Sequence, residues 1–205
     1  MSLTLRATLL VFCISVCAHA QTRTLALYAG PARGLDADSS FMMRAELQRL
    51  LSPAGLEVAW KNSADHRAGD DFELVAVGSF EGSCVAAEPV LMPVSAVDAI
   101  ASLADTSISD GRVLPFFHVD CTRLVRMLGS GPDKAMIGRA LARVIAHELY
   151  HIVAGTAEHH VTGVAKAAFS IRDLVIPRFD FDFLSLAQMK PGSIAQTGEA
   201  EASGR

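Results

Sequence analysis

The stretch His147-Glu148-Leu149-Tyr150-His151 decides the fold, because it lies near the end of a long apolar segment with helical periodicity. Apolar residues recur around it at the three- and four-residue spacing of an α-helix. These residues are Ala135, Ile137, Leu141, Val144, Ile145, Leu149 and Ile152. Only Arg139 and Arg143 give the segment a polar strip. We therefore predict a mostly buried helix that carries two histidines and a glutamate.

Capping residues mark both ends of this helix. Ser130 is the predicted N-cap, because Asp133 follows three residues later and Pro132 is tolerated in a first turn. Gly155 is the predicted end, since glycine adopts the left-handed conformation that commonly closes a helix. The two histidines therefore fall in the last turns of the helix.

The two histidines are four residues apart, so their side chains project from the same side of a helix. At this spacing His147 and His151 can bind one metal ion, as in a hydrolytic zinc site. Glu148 lies about 100° round the helix from His147, where its carboxylate can take a proton from a metal-bound water. The pattern predicts zinc (Zn2+) as cofactor and Glu148 as general base. The alternative is that all three are buried polar groups with ordinary hydrogen-bond partners.

A catalytic zinc ion usually has a third protein ligand and an open position for water. His159 and His160 follow His151 by eight and nine residues, and Gly155 lets the chain turn back toward the metal. We predict His159 as the third ligand. His160 is the alternative, as a ligand or as a contact to substrate. The weaker candidates are Glu158 and Asp173.

This pattern resembles the zincin metallopeptidases, and among them it looks like a variant of the metzincins. The metzincin pattern is His-Glu-x-x-His-x-x-Gly-x-x-His, whereas here Gly155 comes one residue late and His159 two residues late. The run 140–166, with Cys84 and Val119-Asp120-Cys121 upstream, is also similar to uncharacterised exported bacterial proteins that have the same long spacing. The departure concerns the subfamily rather than the helix that carries the motif.

The resemblance implies an α+β, zincin-like fold: a small mixed sheet, a helix packed on it and the buried zinc helix. Residues 112–119 are the predicted edge strand beside the cleft, where an extended peptide could add a strand. A peptide or protein is therefore the expected substrate. Metzincins also have a methionine turn beneath the metal, but Met189 is expected to be an exposed or tail residue. Tyr150 is expected to pack, and His118 to be a core histidine with hydrogen-bond partners.

The remaining pattern predicts further strands and helices around the motif. Strands are expected at 24–29, 56–60, 73–80 and 112–119, and a helix is expected to begin near Asp38 or Ser39. A second short helix is expected over Cys121–Leu128, ended by Gly129. The segment 84–110 gives no clear pattern, because Pro89 and Pro93 interrupt it.

The first 20 residues have the pattern of a secretory signal peptide, with a basic Arg6, an apolar run and Ala18-His19-Ala20. Residues 21–186 are then one domain, and the small polar residues of 187–205 predict a disordered tail. After cleavage only Cys84 and Cys121 remain. In an oxidising compartment such a pair is most simply a disulfide. The alternative is that both are metal ligands.

Charge and hydropathy restrict the class of protein. The 205 residues carry a net charge of -4 without a basic stripe, which argues against a nucleic-acid partner. No segment approaches the roughly 20 apolar residues of a transmembrane helix. We therefore expect a secreted or periplasmic zinc-dependent metallohydrolase, a peptidase. The alternative is a catalytically inactive, zinc-stabilised binding or interaction protein.

Overall fold

The computed structural model describes residues 22–62, 72–85, 102–129 and 131–191. The elements, in chain order, are β1 (Arg23–Ala29), α1 (Ala37–Leu51), a 3-10 turn (Ser52–Ala54), β2 (Leu56–Lys61), β3 (Leu74–Glu81), β4 (Ala104–Ser109), β5 (Arg112–Asp120), α2 (Cys121–Leu128), α3 (Lys134–Ala154), α4 (Ile171–Val175) and α5 (Phe183–Gln188). The strands expected from the sequence, and the helix over Cys121–Leu128, are therefore present.

The strands form one mixed sheet in the order β2-β1-β3-β5-β4. Neighbouring strands from β2 to β5 are parallel, and β4 is antiparallel to β5. One face of the sheet is buried beneath α1 and α3, as the contrast between the buried Phe117 and the exposed Phe116 illustrates. The predicted α+β architecture, a mixed sheet with helices packed on it, is confirmed at this level.

The prediction that residues 112–119 form the edge strand is wrong. β5 pairs with β3 on one side and with β4 on the other, so β4 is the edge. The reason is the turn Asp110-Gly111, in which both residues have positive φ angles of 50° and 73°. Such a two-residue turn folds a chain directly back on itself. It places 104–109 against β5 and moves β5 inside the sheet.

The helix α3 carries the histidine motif through the core. Fifteen of its 21 residues are buried, which confirms the predicted burial. Its N-cap is Asp133, whose side chain accepts a hydrogen bond of 2.6 Å from the amide of Met136. The predicted cap at Ser130 is wrong for this reason, and Ser130 itself lies outside the described residues. Gly155 ends the helix with a φ of 62°, as predicted.

Arg143 was expected to form part of a polar strip on α3, but the structure places it in the interior. Its side chain is completely buried and donates to Glu46 of α1 and to the backbone carbonyls of Asp173 and Ile176. Burial raises the pKa of Glu46, but hydrogen bonds and charge from Arg49 and Arg143 outweigh this effect and lower its pKa overall. The buried guanidinium therefore joins α3 to α1 and to the segment around α4.

The C-terminal part of the described chain packs against the motif helix. Tyr150 is fully buried, as expected, and its hydroxyl donates to Gln188 at 2.6 Å. Met189 is also fully buried, so the expectation of an exposed or tail residue is wrong. Its carbonyl accepts a hydrogen bond from Arg23 at the start of β1. Packed residues thus continue beyond 186, whereas 192–205 lie outside the described residues.

A disulfide joins Cys84 to Cys121, as predicted. It links Cys84, three residues after the end of β3, to the first residue of α2, and both cysteines are buried in the core. The expected signal peptide, 1–20, lies outside the described residues. Within the described ranges, no helix combines the length and the apolar character that crossing a membrane requires.

Candidate metal site

Three histidines converge at the end of α3. One ring nitrogen from each of His147, His151 and His159 lies within 4.8 Å of the other two. The first two are buried on the helix, and the third is exposed in the loop after Gly155. The ring of His159 stacks on that of His147 and lies edge-on to that of His151. The structure therefore brings together the three histidines that were predicted as ligands.

Backbone carbonyls fix the protonation of the two buried rings. His147 Nδ1 lies 2.8 Å from the carbonyl oxygen of Val164, and His151 Nδ1 lies 2.7 Å from that of Thr156. A carbonyl oxygen can only accept a hydrogen bond, so each Nδ1 carries the proton. Burial lowers the pKa of His147 to about 4 and also lowers the pKa of His151. Both rings are therefore neutral near pH 7, and each Nε2 carries a lone pair.

These two Nε2 atoms face each other at 3.1 Å. Two lone pairs at this distance repel, and a cation between them would remove the repulsion. In a tetrahedral zinc site, Zn–N bonds of about 2.0–2.1 Å place ligand nitrogens about 3.3 Å apart. The observed separation is close to this value, and His159 supplies a third imidazole nearby. The three donors could therefore hold one metal ion.

His160 is directed away from the cluster. Its Nε2 lies 2.8 Å from Gln188 Oε1, and its ring lies edge-on to that of Tyr150. Its Nδ1 lies 4.0 Å from Asp182 Oδ2. Within the part of the chain that the structure describes, the group of possible metal ligands consists of His147, His151 and His159 alone. A fourth coordination position is thus not filled by a protein side chain from that part.

Glu148 lies beside the cluster with its carboxylate held by the sheet. Its side chain is buried, and Oε2 accepts a 2.6 Å hydrogen bond from the hydroxyl of Thr106 in β4. The pKa of Glu148 is raised to about 7, because burial and the charge of Asp105 together outweigh the hydrogen bond from Thr106, which lowers it. The carboxylate is therefore a proton acceptor whose position is fixed by the edge strand.

The weaker ligand candidates have other roles. Asp173 forms a capping box with Ser170 at the start of α4 and an ion pair with Lys166. Glu158 is exposed in the loop before His159. His118 is half-buried rather than in the core, and its ring nitrogens lie 3.0 Å from Ser79 and from Glu81. None of these side chains belongs to the histidine cluster.

Three contributors to the site could not be found from the sequence. Thr106 lies 42 residues before Glu148 and reaches it only because β4 folds back on β5. The carbonyl groups of Val164 and Thr156 are main-chain atoms, which no sequence motif records. The only available signal was the turn pair Asp110-Gly111, which indicates a hairpin.

The comparisons with known proteins add no assignment. No protein-family model matches this chain, and a search of curated proteins gave no significant match. The function is therefore argued from the geometry of the site.

Proposed function

We propose that this chain is a zinc-dependent metallohydrolase of the zincin type, and that it is a peptidase. The observation that carries the proposal is the pair of unprotonated Nε2 atoms, 3.1 Å apart, beside a buried glutamate that does not join the cluster. His147, His151 and His159 would hold the ion. Zinc, when bound there, supplies Lewis-acid polarisation of a substrate carbonyl and lowers the pKa of a coordinated water.

Glu148 performs the proton transfers in this proposal. Its carboxylate accepts a proton from the attacking water and delivers it to the leaving amine. Thr106 orients the carboxylate from the side of the sheet through its 2.6 Å hydrogen bond. Because Glu148 is held by β4 rather than by the histidines, it can act as a base while the three imidazoles remain ligands.

The position of β4 supports a peptide as the substrate. Among the described strands, β4 is the edge of the sheet, and the hydroxyl of its Thr106 contacts Glu148. Within the described residues, the unpaired side of β4 therefore lies near the base. An unpaired strand edge can bind an extended peptide through main-chain hydrogen bonds. A peptide bound along β4 would place its carbonyl groups near Glu148.

Export belongs to the same proposal. Residues 1–20 have the composition of a secretory leader, and the disulfide between Cys84 and Cys121 is the kind of crosslink that persists in an oxidising compartment. We therefore propose that the enzyme acts outside the cytosol, on peptides or unfolded proteins.

The alternative, a zinc-stabilised interaction protein, would close the metal site with a fourth protein ligand. The contacts of His160 with Gln188 and Tyr150 argue against this closure. The test is cleavage of an unstructured peptide library by zinc-loaded protein, followed by mass spectrometry. We expect cleavage that a chelator abolishes and that added zinc restores. A fully zinc-loaded protein that cleaves nothing would favour the interaction protein.

A further inference from the structure

An exposed carboxylate lies on the edge strand, one residue before the threonine that contacts the base. Asp105 is exposed on β4, and its neighbour Thr106 donates a hydrogen bond to Glu148. The negative charge of Asp105 contributes to the raised pKa of Glu148. The two carboxylates are therefore close enough to interact, although Asp105 does not belong to the histidine cluster.

The register of β4 fixes the face of the sheet from which the Asp105 side chain projects. Successive side chains of a strand point to opposite faces. Thr106, directly opposite the buried Phe117, points to the face that α3 covers, where it contacts Glu148. Asp105, directly opposite His118, therefore points to the other face. The pairing is regular at these positions, since the irregularity of the ladder comes after Thr106.

Within the described part of the chain, no cation pairs with this carboxylate. No hydrogen bond or ion pair joins Asp105 to another described side chain. His118 contacts residues of β3 through both of its ring nitrogens. Arg123 lies 3.8 Å from the carboxylate of Asp120. The negative charge of Asp105 is therefore available to a group that binds beside β4.

A peptide added to the unpaired side of β4 would place one of its side chains beside Asp105. Residues that pair on neighbouring strands share a face of the sheet, and their Cβ atoms lie about 4.5–5.5 Å apart in an antiparallel pair. The residue paired with Asp105 shares its face whichever way the peptide runs. Opposite charges attract at such a position, and like charges repel. The edge strand therefore favours a cationic side chain there and disfavours an anionic one.

We propose that the substrate of the histidine site is a peptide that carries a lysine or arginine paired with Asp105. This inference rests on the proposed peptidase function, because it names the substrate class of the same site. Asp105 determines specificity and takes no part in the proton transfers, which belong to Glu148. An exposed pair of opposite charges is weak, so a cationic residue should be favoured over an uncharged one by about two- to fivefold.

The test is cleavage of a degenerate, unstructured peptide library by zinc-loaded protein, with the cleavage sites identified by mass spectrometry. At one position relative to the cleaved bond, wild type should favour lysine and arginine over glutamate and aspartate by about four- to 25-fold, because attraction and repulsion both contribute. Asp105→Asn should lose most of this preference, and Asp105→Lys should reverse it at the same position. In wild type the preference should weaken at about 1 M salt, which screens exposed charges.

The matched control is Asp110→Asn, which makes the same change at an exposed carboxylate in the turn after β4. Asparagine tolerates the positive φ of 50° at this position, so the variant should keep the wild-type preference. Cleavage without a charge preference, or a preference that Asp105→Lys does not reverse, overturns this inference and leaves the peptidase proposal intact. Zinc-loaded wild type that cleaves no peptide overturns both.

Discussion

Two carbonyl oxygens decide the chemistry of the histidine pair. The carbonyls of Val164 and Thr156 hold the Nδ1 protons of His147 and His151, and so leave both Nε2 atoms to face each other. Fixing the tautomer through the second ring nitrogen is how proteins orient histidine ligands toward a metal. The spacing of His147 and His151 predicted a shared site, but only the fold shows which nitrogen each ring presents.

Glu148→Gln should keep the fold and the zinc but lose hydrolysis. The amide is close in shape to the carboxylate yet cannot accept the proton from the attacking water. General-base catalysis typically contributes about 10² to 10⁴ in rate, so cleavage of a susceptible peptide should fall by that factor. Metal content and circular dichroism measured in parallel should be unchanged.

The matched control for this variant is Glu158→Gln, which makes the same change at an exposed glutamate near the site. It should cleave like wild type. If Glu148→Gln cleaves as fast as this control, the assignment of Glu148 as the base is wrong.

His159→Ala should weaken zinc binding more than His160→Ala. His159 belongs to the histidine cluster, whereas His160 contacts Gln188 and the ring of Tyr150. Competition with a chromogenic chelator measures the zinc Kd of both variants under identical conditions. Equal losses, or a larger loss in His160→Ala, would contradict the assignment of the third ligand.

The sequence predicted, through the Gly155 turn, that His159 lies near the histidine pair, but it could not have predicted Thr106 or Met189. Neither could be predicted, because the partners of both residues are distant in the chain. Thr106 reaches Glu148 through the β4–β5 hairpin, and Met189 is buried where the C-terminal segment returns to β1. Periodicity describes local structure, and these contacts are not local.

At the scale of elements, the edge strand was the main error. The sequence of β4, Ala104–Ser109, contains one large apolar residue, Ile108, and it is exposed. A strand that buries little has no strong hydrophobic alternation, so the sequence did not reveal β4, and the zincin resemblance placed the edge at 112–119 instead. β5 instead pairs on both sides, with β3 and with β4. Elements with a buried, periodic face, such as α1 and α3, were predicted well.

Gly138→Ala should lower the stability of the protein. A methyl group on Gly138 would approach Ser39 O to 2.5 Å and Met43 N to 2.9 Å, because α1 and α3 pack closely here. In a free helix this change stabilises by about 0.5–1 kcal/mol, whereas forcing a buried contact apart costs about 1–3 kcal/mol. We expect the free energy of unfolding in urea to fall by about 1–2 kcal/mol.

The direction of this change in the free energy of unfolding separates the effect of the contact between α1 and α3 from the effect of helix propensity. Helix propensity alone predicts a more stable variant, so a loss can only come from the approach of α1 to α3. A variant that is as stable as wild type or more stable would show that the two helices can separate at Gly138 without cost.

At the scale of the whole molecule, the disulfide should be a major source of stability. It closes a loop with a sequence separation of 37 residues, and chain entropy alone gives about 4 kcal/mol for such a loop. The Cys84→Ala/Cys121→Ala double variant should lose about 2–4 kcal/mol in urea unfolding. Intact mass should rise by the mass of two hydrogen atoms when wild type is reduced. Two alkylatable thiols in oxidised, folded protein would contradict the assignment.

The zinc content of the folded chain tests the central claim most directly. Protein freed of metal by a chelator and then dialysed against zinc should contain about one zinc ion per chain, measured by mass spectrometry of the element. The His147→Ala/His151→Ala double variant, shown to be folded by circular dichroism, should contain almost none. A folded wild-type chain that takes up no zinc, or a double variant that takes up as much as wild type, would contradict the account.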